Sequence, residues 1–271
     1  MNNHSHLPTV LSAVALAKVE ASERRLGRHR HPHPLRPLSF AVPFIALAAI
    51  LFLAFTATAQ TTNGLSPAEI QGRQLAAELL SVTPATNFTQ TGVLRIRNSH
   101  GTTNIPITFK TVIEPDSWRV IYSATTDHST DYLVIVHKDG QPNEYSNSSD
   151  KTMVPFAGSD FWDADLGLEF FHWPDQKITG HETRRTRDCM ILESDNPNPA
   201  NGYSHVVTWI DKESLAIIYA EAYDTNNKLL KIFDPKKVKK VNGKWELEDI
   251  EIQNVQTHSR TRIRFDLNGG S

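Results

Sequence analysis

The sequence predicts a mainly β protein, an antiparallel sandwich or barrel fronted by one helix. Three observations carry this reading. Beyond Pro84, apolar residues fall at alternate positions in segment after segment, the period of a half-buried strand. Those segments are short and are divided by polar turns such as Asp139-Gly140, Lys212-Glu213-Ser214 and Thr225-Asn226-Asn227. The stretch just before them repeats at helical spacing instead.

That helix is predicted over "SPAEIQGRQLAAELLSV". Ser66 is a good N-cap, Pro67 suits the first turn, and Glu69 completes a capping box. Ile70, Leu75, Leu79 and Val82 form its apolar stripe, and Thr83-Pro84 ends it. In "IPITFKTVI", Ile105, Ile107, Phe109, Thr111 and Ile113 share one face. "SWRVIY" sets Trp118, Val120 and Tyr122 in phase, and "DYLVIVH" is apolar on both faces. "SHVVTWID", "LAIIYAEAYD" and "KLLKIFD" follow. In "LAIIYAEAYD" the alanines Ala216, Ala220 and Ala222 share a face with Ile218, and small residues there leave room for a helix or a ligand. Asn242-Gly243 is a hairpin signal. After it, Trp245 and Leu247 are in one phase and Ile250 and Ile252 in the other, so a bulge is expected near Glu248-Asp249. "HSRTRIRFDL" closes the chain, with Ile263, Phe265 and Leu267 on one face and Arg260, Arg262 and Arg264 on the other. The arginine row fits either an acidic partner or lipid head-groups, or a solvated face that discourages edge-to-edge pairing. The total is roughly ten or eleven strands, all in one domain.

The chain has 271 residues, and its first part is unlike the rest. Residues 1–59 hold Lys18, Arg24, Arg25, Arg28, Arg30 and Arg36 against only Glu20 and Glu23. An uncharged run from Phe40 to Phe55 is followed by Ala57-Thr58-Ala59. A basic start, an apolar middle and a small-residue site make a secretory signal peptide, cut between Ala59 and Gln60. The alternative is an uncleaved membrane anchor. Against it stand Pro43 and a length of about 16 residues, where a spanning helix needs roughly 20. The histidines in "RHRHPHPLRP" lie among prolines and read as a disordered pre-sequence or an upstream start, rather than as a metal tract. The expected division is therefore 1–59 as signal and 60–271 as the mature domain.

From Gln60 onward the chain carries 22 Lys and Arg against 28 Asp and Glu, a net charge of about −6. That argues against nucleic acid as a partner, because phosphate backbones demand a basic footprint. Cys189 is the one cysteine, so no internal disulfide forms. It stands between apolar residues in "DCMILES" and reads as a buried, inert thiol.

Catalytic and metal chemistry is not written in the motifs. "GYSHV" at Gly202 lacks the last glycine of a nucleophile elbow, and "HETRR" at His181 has no second histidine for zinc. There is no phosphate loop, dinucleotide fingerprint or paired-cysteine motif. The histidines beyond Gln60 are scattered, with none paired at ligand spacing. No catalytic residue, metal or cofactor is expected. The informative stretch is "FWDADLGLEFFHWP", residues 161–174. Its acids do not follow a calcium loop, since Trp162, Ala164 and Leu166 interleave with them. Phe161, Leu166, Leu168, Phe170 and Phe171 recur at three- and four-residue steps, which fits a short amphipathic helix capped by Asp160 or Asp163. The expectation is a lid over a curved sheet. Asp163 and Asp165 would face water and take no part in binding. Whether the lid closes an open chamber or a filled core stays undecided at this point.

"YSHVVTWIDKESLAIIYAEAYDTNNKLLKIF" resembles the middle of the bacterial outer-membrane lipoprotein-sorting proteins, the LolA-like superfamily. The leading "AAELL" fits the same pattern, and "FWDADLGLEFFHWP", "RDCMILES" and "TRIRF" look like an uncharacterised subgroup of it. The resemblance implies an incomplete antiparallel β-barrel, a LolA/LolB-like half-barrel with an N-terminal helix and a short helical lid. It implies a monomeric periplasmic carrier or binder of lipoproteins or other acylated ligands, with an inner-membrane transporter as a possible partner. The alternative is a periplasmic sensor that binds a membrane-anchored regulator. An enzyme is not expected. A chamber of this kind would be lined by Phe161, Trp162, Phe170 and Phe171 at its mouth and by Phe109 and Trp118 on the sheet wall. An acyl chain then gains roughly 0.8 kcal/mol per buried methylene, and no catalytic group is needed.

Overall fold

The computed structural model describes residues 64–146, 152–241 and 244–267. The signal segment, the Asn242-Gly243 turn and the end of the chain lie outside the described residues. One helix leads, α1 (Pro67–Leu80). The first strands are β1 (Phe88–Asn98), β2 (Gly101–Glu114), β3 (Ser117–Thr125), β4 (Thr130–His137) and the short β5 (Glu144–Tyr145). A crossover holds a 3-10 turn (Phe156–Gly158), the short helix α2 (Asp163–Leu166) and a second 3-10 turn (Glu169–His172). Then come β6 (Asp175–Arg184), β7 (Arg187–Asp195), β8 (Tyr203–Asp211), β9 (Ile217–Asp224), β10 (Leu229–Val241), β11 (Lys244–Asn254) and β12 (Ser259–Phe265).

All these strands join one antiparallel sheet, in the order β5-β4-β3-β2-β1-β12-β11-β10-β9-β8-β7-β6. The outer strands β5 and β6 do not pair with each other, so the barrel stays open. The chain builds one half outward from β1 to β5. It then passes to the opposite edge at β6 and works back until β12 pairs with β1. The crossover between β5 and β6 carries the aromatic segment, and its buried side chains belong to the same core as the sheet's. Lid and crossover are thus the same piece of chain.

Two strands were not evident from alternation alone, β1 and β6. In β1 the buried Leu94 and Ile96 alternate with exposed Val93, Arg95 and Arg97. In β6 the exposed polar residues outnumber the buried ones, because α1 rather than a second layer of sheet covers it. The expected bulge is present. Lys237 pairs with Asp249 and Val238 with Leu247, leaving Glu248 outside the ladder. Leu247, Ile250 and Ile252 therefore all reach the core despite their sequence phases. Pro235 sits at a neighbouring register shift of β10, where a missing N–H is tolerated. In β9 the alanines Ala220 and Ala222 are buried, as their face predicted.

The cap of α1 is as expected. The Glu69 backbone N–H donates to Ser66 Oγ at 3.3 Å, and Ser66 N–H donates to Glu69 Oε2 at 2.7 Å. Its buried face is Gly72, Leu75, Ala76 and Leu79. Ile70 is 44% exposed, a correction to the predicted stripe. The reason is the close seating of Gly72, which turns the helix so that this face meets β6. A Cβ on Gly72 would lie 2.6 Å from the backbone of Gln176 and Lys177.

Gly72→Ala is therefore a sign test. Helix propensity alone would make it stabilising by about 1 kcal/mol. Overpacking against backbone costs about 1–3 kcal/mol, and the expected net result is a lower denaturation midpoint. A raised midpoint would show that the helix is not seated this closely.

Candidate functional site

The lid is held from several strands, and its acids do the holding. Asp160, Asp163 and Asp165 are 8%, 1% and 4% exposed. The expectation that Asp163 and Asp165 face water is overturned. The helix they sit on is a single turn pressed into the core, so it has no wet side. Asp165 Oδ1 accepts from Tyr203 Oη at 2.7 Å, and its Oδ2 accepts from the Trp162 N–H at 2.8 Å. The same Oδ2 lies 3.0 Å from Lys231 Nζ. The Lys231 ammonium also sits 3.4 Å from the centre of the Trp162 ring, which stacks on Tyr203 at 4.7 Å. Lys231 is 1% exposed, and burial pushes its pKa down to about 8 against the pull of Asp165 and Asp160. Asp160 accepts from Ser259 Oγ at 2.5 Å and Thr261 Oγ1 at 2.8 Å on β12. Two strands on opposite sides of β11 are thereby joined to one lid.

Farther along, Tyr122 Oη donates to the Leu166 carbonyl at 3.1 Å. Asn143 Nδ2 donates to Gly167 O at 2.8 Å, and Tyr145 Oη donates to Glu169 Oε2 at 2.8 Å. Gln176 Nε2 donates to the carbonyls of Phe170 and Trp173 at 2.8 and 2.9 Å. Every turn of the lid has a polar tether as well as an apolar anchor.

Beneath the lid, side chains of the lid and the sheet pack together. Phe161, Leu166 and Leu168 meet Phe109, Tyr122 and Leu133 in one core. Phe109 packs edge-on to Tyr122 with ring centres 5.4 Å apart. The cavity lies to one side. It is a cleft of about 870 Å³ between the C-terminal end of α1, the β2–β3 turn, the β4–β5 loop and the end of the lid. Ala76, Leu80, Ile113, Trp118, Phe171 and Trp173 contribute its apolar surface. Of the residues proposed from sequence to line a chamber, Trp118 and Phe171 border this cleft. Phe109 and Phe161 are fully buried in the core, Phe170 is 6% exposed within it, and Trp162 is committed to Lys231 and Tyr203.

Sequence reading missed the histidines of this cleft. His137 ends β4 and stacks on Trp118 with ring centres 4.0 Å apart. It shares the cleft with His172 of the lid. Neither Nε2 has a hydrogen-bond partner among the described residues. Burial, aided by the neighbouring His172, pushes His137 down to about 3, and burial pushes His172 down to about 4. The two belong to elements far apart in the chain, so no spacing rule could join them. Lys231 did leave a signal: it is a charged residue in an apolar strand phase, between Leu230 and Ile232. Cys189 is buried as expected, with its thiol pushed above its usual pKa by burial. Among the described residues there is no cluster of three or more metal-ligating side chains, and no helix long and apolar enough to cross a membrane.

Two tests follow from this geometry. Asp165→Asn leaves the Lys231 charge buried without its counter-charge, which costs roughly 3–5 kcal/mol. Chemical denaturation should show that loss. Asp165→Leu combined with Lys231→Met should recover most of it, and a purely additive double variant would overturn the ion-pair account. The second test concerns pH. Both cleft histidines are neutral when folded but take up a proton near 6.5 when unfolded. Their contribution is complete above about pH 6.5 and is lost as pH falls toward 4. The thermal midpoint should drop between pH 7 and 5.5, before carboxylates titrate. The His137→Asn/His172→Asn protein should show a flatter profile, and an unchanged slope would contradict the assignment.

A family model described as "Uncharacterized protein" matches residues 140–267. No curated protein matches the sequence. Among solved structures, an outer membrane lipoprotein-sorting protein domain from Vibrio parahaemolyticus is similar at 18% identity and a TM-score of 0.59, over 73% of this chain and 91% of that one. A DUF1329 family protein from Desulfovibrio piger aligns at 18% identity and a TM-score of 0.54, over 74% and 92%. A LolA superfamily protein from Nitrosomonas europaea aligns at 14% identity and a TM-score of 0.53, again over 74% and 92%. One antiparallel sheet that does not close agrees with those likenesses: the chain has the LolA-like open-barrel fold.

Proposed function

We propose that this chain is an exported binding protein for an acylated or otherwise hydrophobic ligand, carried in the periplasm. The observation that supports it most is the cleft of about 870 Å³ beside the lid. Its size is within the range of small-molecule sites, and its walls combine aromatic and aliphatic side chains with polar and charged ones such as Arg73, Glu114, Asp116 and Lys138. Trp118, Phe171 and Trp173 offer flat apolar surface to a chain. The imidazoles of His137 and His172 offer hydrogen bonds to a polar end. The ligand site proposed from sequence thus shifts from beneath the lid to the lid's end. The signal peptide reading and the likeness in fold to a lipoprotein-sorting domain support export and a lipidated cargo.

Native mass spectrometry of protein recovered from the periplasmic fraction tests both parts. The expected mass is that of a chain starting at or near Gln60, with lipid retained. Displacement of a fluorescent fatty acid then locates the site. Trp118→Ala should weaken binding by about tenfold or more, since a buried ring is worth a few kcal/mol. Ala77→Trp, which fills the cleft from α1, should abolish it. Unchanged binding in both folded variants would place the ligand elsewhere.

A further inference from the structure

Several charged residues of this sheet meet opposite charges. Lys177 lies 2.8 Å from Glu193, Lys237 2.8 Å from Glu248, Arg119 2.9 Å from Glu114, and Lys212 2.8 Å from Asp188. The outer face of β1 and β12 departs from that pattern. Arg95 stands opposite Arg262, and Arg97 opposite Arg260. Like charges placed directly across a ladder destabilise it. The next strand outward gives no relief, since β2 sets Asn104 against Arg95 and Thr102 against Arg97. On the other side, Gln253 faces Arg260 and Glu251 faces Arg262.

Glu251 is already shared. Its carboxylate lies 3.2 Å from Arg262 Nη2 and 3.3 Å from Lys236 Nζ. Arg262 also reaches Asp249 at 3.3 Å. Arg95, Arg97 and Arg260 are exposed and make no ion pair among the described residues. The side chains of Arg95, Arg97, Arg260 and Arg262, with Glu251, border a cleft of about 170 Å³.

Protection of a sheet edge does not account for this cluster. Charged residues guard edge strands, but β1 and β12 lie inside the sheet, with four strands beyond β1 and six beyond β12. The geometry points to a binding site for a phosphate monoester on the outer face of the sheet, formed by the guanidinium groups of Arg95, Arg97, Arg260 and Arg262. A phosphate monoester carries close to two negative charges at neutral pH and three acceptor oxygens. Arginine forks match those oxygens in pairs. Bound there, the dianion removes the repulsion that the empty cluster carries. The site lies on the face opposite the lid and does not depend on the hydrophobic-ligand reading.

Two probes separate a soluble ester from a lipid head-group. Calorimetric titration with glycerol phosphate reads the free form. Co-flotation with phosphatidylcholine vesicles, with and without phosphatidic acid, reads the lipid-borne form. The full chain should bind at least one, more tightly at low salt. Arg97→Gln/Arg260→Gln should lose about tenfold or more in affinity while its thermal midpoint holds or rises, because an opposed like-charge pair is gone. Arg97→Lys/Arg260→Lys keeps the charge without the fork and should lose a similar amount. The proposal falls if neither probe binds at low ionic strength, if the Gln variant binds as well as the parent, or if the Lys variant keeps full affinity. Equal flotation with vesicles lacking phosphatidic acid would also overturn it.

Discussion

The buried ion pair between Asp165 and Lys231 is the constraint around which this molecule is arranged. An ammonium group 1% exposed cannot stand alone in an apolar interior. Three kinds of partner meet it: a carboxylate, the face of Trp162 and, farther off at 5.2 Å, the ring of Tyr203. Each partner also fixes something else. Asp165 bonds to the Trp162 backbone and so closes the first turn of α2. Tyr203 ties that turn to β8, and Lys231 ties it to β10. Small residues next door make this possible. Ala222 is the ladder partner of Lys231, and a larger side chain there would compete for the same volume. The pair therefore fixes the position of the lid more than it adds to stability, in keeping with how buried charges act when well-packed hydrophobic residues would serve as well.

Because the lid is fixed, the interior beneath it can be packed to completion. Aromatic and aliphatic side chains from both halves of the sheet pack into that volume, and a cleft opens at the lid's end. There the packing changes character. Half-buried Trp118 stacks on an imidazole, two histidine nitrogens lack partners among the described residues, and the walls come from loops, a helix end and the ends of strands. Loops carried on a rigid frame are the usual seat of binding.

Much of the frame was legible in the sequence. The capped helix, the bulge of β11 and the inward alanines of β9 follow from cap chemistry, phase and residue size. Those signals are local, and the structure keeps them. The failures share a physical cause as well. Asp163 and Asp165 carried a surface signature, charge on a short amphipathic turn, yet a lysine some sixty positions later draws Asp165 inward. Ile70 had the right spacing but lost its place to the backbone contact at Gly72. The histidine pair of the cleft arises only when β4 and the lid are brought together. Long-range partners override local pattern wherever a polar group is buried, and pattern alone does not reveal the partner.

The two halves of the sheet join by pairing the first strand with the last. Gly92 meets Phe265 and Arg97 meets Arg260, contacts that span most of the folded chain. Neither β1 nor β11 can complete its hydrogen-bonded ladders, and the two halves of the sheet cannot join, until the C-terminal strand has been delivered. Folding should therefore be slow for the chain's size, since closing so long a loop costs entropy before the contact repays it. If the chain is exported as proposed, crossing a membrane unfolded and in order from its N-terminus, that delay would be an advantage. The domain could not lock prematurely while part of it was still on the other side.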